Sequence, residues 1–146
     1  MWGIIPAAGS GTRIQPLAFS KELLPVGGRI DGAVERPRAI SEYLVDRMIV
    51  GGASKLCFVI SPGKSDILEY YGGGQLDSVT ISFVVQPQAS GLCDAIFQAA
   101  ERLDSDAICL GTHGRRGMTK ALLGSVTEAV IRETRRPVLL SGRSKP

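Results

Sequence analysis

Cysteine is scarce: Cys57, Cys93 and Cys109 are odd in number and far apart. That spacing fits neither a disulfide framework nor a zinc-ligand set, so reduced thiols in a cytoplasmic protein are expected. His113 is the only histidine, which excludes a histidine triad or a His-rich metal centre. Aromatic residues make up only 5% of the chain and are not interleaved with basic residues. No standard nucleic-acid-binding motif is present, so nucleic acid is not an expected partner. No apolar run approaches the ~18 residues of a membrane span. The opening Met1-Trp2-Gly3-Ile4-Ile5-Pro6 lacks the basic n-region and apolar length of a signal peptide, so no membrane association is expected. Repeats, low-complexity tracts and interdomain linkers are missing as well.

What remains is an ordinary globular composition: 146 residues, 44% hydrophobic and 21% charged. This length suits one domain of the usual ~100–200 residues, able to bury roughly two-thirds of its unfolded surface. The hydrophobic content excludes intrinsic disorder. The net charge of +3 hides an asymmetry. Residues 1–110 carry nine Lys/Arg against twelve Asp/Glu, and residues 111–146 carry eight against two. The basic residues of the tail are Arg115, Arg116, Lys120, Arg132, Arg135, Arg136, Arg143 and Lys145. A basic segment of this kind suits a phosphate-bearing partner or a solvated face.

Five short apolar runs read as strands buried on both faces: 3–8, 55–61, 80–86, 107–111 and 137–141. Helical stripes lie between them. Leu92, Ala95, Ile96, Ala99, Ala100 and Leu103 form the clearest; Leu44, Val45, Met48 and Ile49 a second; Ile67, Leu68, Tyr70 and Tyr71 a short third. Ser125-Val126-Thr127-Glu128 reads as a capping box opening the last helix, with Ser125 as its cap. Strands alternating with helices imply βαβ units and a parallel sheet with right-handed crossovers. From Gly9 to about Pro37 no periodicity is sustained, and a loop that long in a compact domain is commonly functional or disordered.

Ala7-Ala8-Gly9-Ser10-Gly11-Thr12-Arg13 follows the first strand. Glycines at 9 and 11 would let the backbone approach a ligand, and consecutive N–H groups can form an anion-binding nest. Arg13 could add a charge-assisted contact to phosphate oxygens. Neither standard nucleotide fingerprint is met: G-x-G-x-x-G needs glycine where Ile14 stands, and a Walker A loop ending at Gly63-Lys64-Ser65 needs glycine where Phe58 stands. By itself, a Gly-Ser-Gly turn after a strand is structural more often than not.

Ile4-Ile5-Pro6-Ala7-Ala8-Gly9-Ser10-Gly11-Thr12-Arg13 is followed by Pro16-Leu17 and Ser20-Lys21-Glu22-Leu23-Leu24-Pro25-Val26. Together they closely resemble the start of the sugar-nucleotide nucleotidyltransferases. The resemblance continues through Gln86-Pro87 and Ser90-Gly91-Leu92-Cys93-Asp94-Ala95-Ile96. It implies that Ala7, Ala8, Gly9, Ser10, Gly11 and Thr12 wrap a triphosphate, with Arg13 and Lys21 as the catalytic pair on its phosphates. It further implies Gln86 and Gly91 beside the base, and Mg2+ accompanying the bound nucleoside triphosphate. Such chemistry depends on positioning and charge neutralisation more than on a strong base. The family's metal aspartate, after the strand at 107–111, has no counterpart: Thr112-His113-Gly114 follows, with no carboxylate before Glu128. The family's sugar-binding half is not expected in this chain either. Weak or absent transfer is therefore the expectation, with no protein metal ligand assigned.

The tail resembles a second family. Gly111-Thr112-His113-Gly114, nine further residues, then Gly124-Ser125 satisfy the G-x2-G-x9-G-[ST] pattern of the ATP-binding universal stress proteins, between Asp106-Ala107-Ile108-Cys109-Leu110 and Arg136-Pro137-Val138-Leu139-Leu140. This resemblance implies phosphate contacts from Gly111, Gly114, Gly124 and Ser125, the last two opening a helix whose N–H groups and dipole favour anions. His113 is expected as a loop or nucleotide-contact residue. In that family the last strand often pairs across a dimer, and an uncovered apolar edge at 137–141 would invite the same.

Taken together, the two resemblances imply a chimera joined near Leu110, inside a strand. The expected fold is α/β: a single doubly wound, Rossmann-like domain over residues 1–146, with about five parallel strands in the order 3-2-1-4-5 and helices on both faces. The segments 1–110 and 111–146 would bring their glycine loops to one crevice at the switch point. Three functions stay open: a nucleotidyltransferase-like protein binding ATP, dTTP or UTP with weak or no catalysis; an ATP-binding stress or regulatory module; and a recombinant fold without selected activity.

Overall fold

The computed structural model describes residues 1–72, 76, 79–88, 90–112 and 124–142. Residues Met1–Ala89 form one compact unit and Ser90–Pro146 another.

In the first unit, strands β1 (Trp2–Pro6), β4 (Lys55–Ile60) and β5 (Thr80–Val85) form a parallel sheet in the order β1-β4-β5. β4 is central, and Leu56 through Ile60 are all buried, as expected for a strand covered on both faces. Its Cys57 thiol is pushed up to about 11 by burial, so it is an inert core residue. Helix α1 (Ile40–Val50) connects onward to β4, and α2 (Ser65–Gly72) connects β4 to β5. Ile5, Val45, Leu56, Phe58, Ile67 and Tyr71 share the core. Phe58 stacks between Tyr71, with ring centroids 4.6 Å apart, and Phe83 at 5.9 Å. Burying each such side chain contributes about 1.5–3 kcal/mol.

The stretch 9–37, expected to lack regular structure, contains a hairpin: β2 (Pro25–Asp31) pairs antiparallel with β3 (Val34–Ala39). The two-residue link is Gly32-Ala33, with Gly32 at φ +64°. The hairpin stays outside the main sheet and joins α1 through Glu42. That carboxylate takes hydrogen bonds from Arg36 at 2.9 Å, Arg29 at 3.2 Å, the Ala39 N–H at 3.2 Å, and the Tyr70 hydroxyl. Burial works to raise the Glu42 pKa, but these donors outweigh it and hold the group at about 2. The buried face of α1 therefore runs through Ser41, Glu42 and Val45, while Leu44 is exposed.

The second unit contains α3 (Leu92–Arg102), β6 (Ile108–Thr112), α4 (Ser125–Glu133) and β7 (Val138–Gly142), with β6 and β7 parallel. Ile96, Ala100, Ile108 and Val130 form its core. Leu92 lies outside the buried stripe of α3, and is exposed. The cap of α4 is Gly124, and Ser125 is the first helical residue, making no capping hydrogen bond. The expected box is therefore not formed: with Gly124 as the cap the third helical residue is Thr127, and Glu128 N–H bonds the Gly124 carbonyl at 3.0 Å in the ordinary helical register.

The five expected parallel strands and the helices between them fall where the apolar periodicity places them, but their assembly into one sheet is corrected. The five parallel strands form a three-stranded sheet and a separate two-stranded sheet, with the hairpin as a third, instead of one sheet of order 3-2-1-4-5. Every parallel pair here joins strands consecutive in the parallel series, linked by a single crossover. The pairing of the first and fourth parallel strands is the one step of that order that no crossover dictates. Apolar runs specify strands and faces, not which edges meet. Among the described residues, no helix is long and apolar enough to cross a membrane.

Candidate functional site

β1 ends at Pro6, yet Ala7 N–H still donates to the Val59 carbonyl at 2.7 Å, keeping the buried Ala7 and Ala8 beside the central strand. Gly9 and Ser10 are exposed as the chain leaves the sheet. Gly11 sits at φ +66° and starts a single 3₁₀ turn, Thr12–Ile14, closed by Ile14 N–H donating to the Gly11 carbonyl at 3.0 Å. Gln15 staples this loop: its Nε2 donates to the Ser10 carbonyl at 3.2 Å, and its Oε1 accepts the Leu17 N–H at 2.7 Å. Arg13 projects into solvent, with no ion-pair partner among the described residues.

A second 3₁₀ turn, Lys21–Leu23, returns over the first. A Cβ built on Gly11 would stand 2.8 Å from Lys21 Cδ, so the lysine stem lies directly on the glycine. Lys21 Nζ pairs with Glu22 Oε1. Glu22 Oε2 accepts from Lys64 Nζ at 2.8 Å, and Lys64 also donates to the Ala7 carbonyl. The Ser20 N–H and hydroxyl both donate to the Asp66 carboxylate, at 2.6 and 2.7 Å. Burial works to raise the Asp66 pKa, but hydrogen bonds from Ser20 and the Ile67 N–H prevail and lower it. For Lys64, burial pushes the ammonium below the usual lysine range, and Glu22 acts against that.

These groups border an open cavity of about 440 Å³ between the loop and the N-terminal end of α2, lined by Ser10, Gln15, Ser20, Lys21, Ser61 and Lys64 among others. It lies at the carboxyl end of β1 and β4, where ligands of parallel sheets bind. Gln86 follows β5 at the same sheet end. Its N–H donates to the Ile60 carbonyl at 2.8 Å and its side chain is buried, two strand spacings, about 10 Å, from β1. Residues 7–13, Lys21 and Gln86 thus occupy one end of one sheet.

Gly91, Gly111, Gly124 and Ser125 belong to the second unit. Gly91, at φ +96°, is the N-cap of α3. Gly111 pairs with Ser141 within β6–β7. Gly124 and Ser125 are exposed at the start of α4. His113, Gly114, Arg115, Arg116, Lys120, Arg143 and Lys145 lie outside the described residues. Sequence reasoning missed Glu22, Lys64 and Asp66 as parts of the site. Gly63-Lys64-Ser65 fails as a nucleotide fingerprint, yet its position just after a buried strand is a usable signal. Among the described residues, no three or more His, Cys, Asp or Glu side chains group to hold a metal.

Comparison with known proteins finds two overlapping matches. Over 113 residues, 75% of this chain, the sequence is 31% identical to a glucose-1-phosphate thymidylyltransferase of Neisseria meningitidis, and the match takes in 36% of that protein. A solved structure from Bacillus anthracis, named for the same activity, superposes with a TM-score of 0.52 at 20% identity, covering 78% of this chain and 56% of that one. This is a likeness of fold. Residues 89–141 match the universal stress protein family. Over 50 residues the chain is 42% identical to a universal stress protein of Methanocaldococcus jannaschii, a match covering 34% of this chain and 31% of the relative. The chain spans about a third of the length of these curated relatives. It is similar to glucose-1-phosphate thymidylyltransferases over three-quarters of its own length, and its residues 89–141 are similar to the universal stress protein family.

Proposed function

We propose that the chain binds a nucleoside triphosphate on the Gly9–Arg13 loop, as a nucleotidyltransferase-like protein whose transfer activity is weak or absent. One observation carries this reading: an exposed glycine loop leaves the carboxyl end of β1, with Lys21 laid across Gly11 and Arg13 free to turn toward an anion. In this reading the loop amides and the two cations neutralise the phosphates, and Gln86 reads the base edge. Mg2+ enters only as the companion of the phosphates, because the described residues offer no carboxylate cage. Transfer is weak because the stretch after β6 supplies no carboxylate to organise the reacting groups.

A second reading is favoured by the 42% identity to a universal stress protein: ATP held by Gly111, Gly114, Gly124 and Ser125. There the exposed start of α4 would offer its N–H groups, and β7, with Leu139 and Leu140 exposed, would pair with a second copy. Isothermal titration with ATP and dTTP, with and without Mg2+, tests both. Micromolar binding is expected, and millimolar or weaker binding of both nucleotides would refute a working site. Substitution at Gly9 or at Gly124 then tells the two loops apart.

A further inference from the structure

Lys64 is a charged group that the nucleotide reading leaves unused. Its side chain is 10% exposed, and burying an ammonium is costly unless it is paired. A tight turn, with the Lys64 N–H on the Ser61 carbonyl at 3.0 Å, places it at the end of β4. Both of its partners belong to the phosphate loop region: the Ala7 carbonyl, at the root of the loop, and Glu22 Oε2 at 2.8 Å. The other oxygen of Glu22 holds Lys21. One carboxylate, itself 11% exposed, is therefore shared by two ammonium groups, of which Lys21 is 33% exposed and Lys64 is enclosed.

This sharing bears on ligand capture. A polyphosphate reaching the loop has to draw Lys21 away from Glu22. Were Lys21 the only cation there, its departure would strand a nearly buried carboxylate, and an uncompensated buried charge is strongly unfavourable. With Lys64 in place, Glu22 keeps one partner throughout. We infer that Lys64 is a positioning residue of the phosphate site, retaining Glu22 so that Lys21 is released to an incoming polyphosphate. The inference rests on the nucleotide reading for the ligand, while the exchange between the two lysines stands apart from it.

The test compares the full-length wild-type chain with K64M, K64R, E22Q and the double variant E22Q/K64M. Two measurements are made: the rate of Lys21 acetylation by trace acetic anhydride, read by mass spectrometry without ligand, and the affinity for Mg·ATP. K64M should slow Lys21 labelling and weaken ATP binding, each by roughly fivefold, the scale of one charge redistributed at this range in a partly screened site. E22Q should speed the labelling. K64R should behave as wild type, and in the E22Q background the effect of K64M should vanish. Unchanged labelling in K64M, or a K64M loss of equal size with and without Glu22, would overturn the inference and leave Lys64 as a prop for Ala7. If K64M does not fold, E22Q decides: unchanged Lys21 labelling overturns the exchange. If the labelling pattern holds while the wild type binds no ATP, the nucleotide reading fails and the exchange stands.

Discussion

Gly9 and Gly11 stand two residues apart in one loop, but the structure assigns them opposite mechanical roles, and alanine at each separates folding from binding. At Gly11 the backbone is left-handed, at φ +66°, and an added Cβ would meet Lys21 Cδ at 2.8 Å. A left-handed alanine costs roughly 1–2 kcal/mol, and moving Lys21 off its rotamer adds about 0.5–1.5 kcal/mol. Gly11→Ala should therefore destabilise by about 2 kcal/mol, a fall in Tm of roughly 4–8 °C for a chain of this size. At Gly9 no heavy atom lies within 4 Å of an added Cβ, and φ is not positive. Gly9→Ala should leave stability unchanged or raise it by about 0.4–1 kcal/mol, because the unfolded chain loses freedom. Both should weaken ATP binding, Gly11→Ala by displacing Lys21 and Gly9→Ala by placing a methyl where phosphate approaches. Thermal unfolding and titration calorimetry on the two variants read each effect separately. A Gly11→Ala variant with wild-type Tm would refute the geometry, and a Gly9→Ala variant with wild-type ATP affinity would refute the loop as the phosphate site.

Glu42→Gln should cost about 2–3 kcal/mol in urea unfolding, less than a fully buried pair because Arg36 is partly solvated. Because the Glu42 pKa is held near 2, against 4.5 for an ordinary glutamate, its contribution is complete above about pH 4.5 and is lost as pH falls toward 2; the variant should flatten that acid limb. Asp66→Asn, which weakens two charge-assisted bonds to Ser20, should lower stability by about 1–2 kcal/mol and loosen the Lys21 turn, read as weaker ATP binding. Ser125→Ala should cost under ~0.5 kcal/mol, below the ~1 kcal/mol of a true N-cap, because Gly124 occupies that position; a loss above ~1 kcal/mol would restore Ser125 as the cap.

The strands and helices were legible because their apolar spacing is set by burial on one face or two, as in Leu56–Ile60 and the stripe from Ala95 to Ala100. The hairpin at 25–39 was not, because it lies outside the main sheet and its side chains do not alternate: Ile30 and Val34 are 75% and 67% exposed. Its signal was local: glycine at the first position of the two-residue Gly32-Ala33 turn, where φ is positive. The single sheet of order 3-2-1-4-5 rests on the two resemblances alone, since apolar periodicity carries no information about edge partners. At the site, the loop and Lys21 were legible as a motif, whereas Glu22, Lys64 and Asp66 act through contacts 42 to 57 residues apart in sequence. Only the fold brings those together.

The most direct test of the central claim is to follow backbone amide resonances while titrating Mg·ATP into the full-length chain. Saturable shifts at Gly9, Ser10, Gly11 and Thr12 are expected, with Gln86 responding to the base. Saturable shifts confined to Gly124 and Ser125, or none at the Gly9–Thr12 amides at millimolar nucleotide, would contradict it.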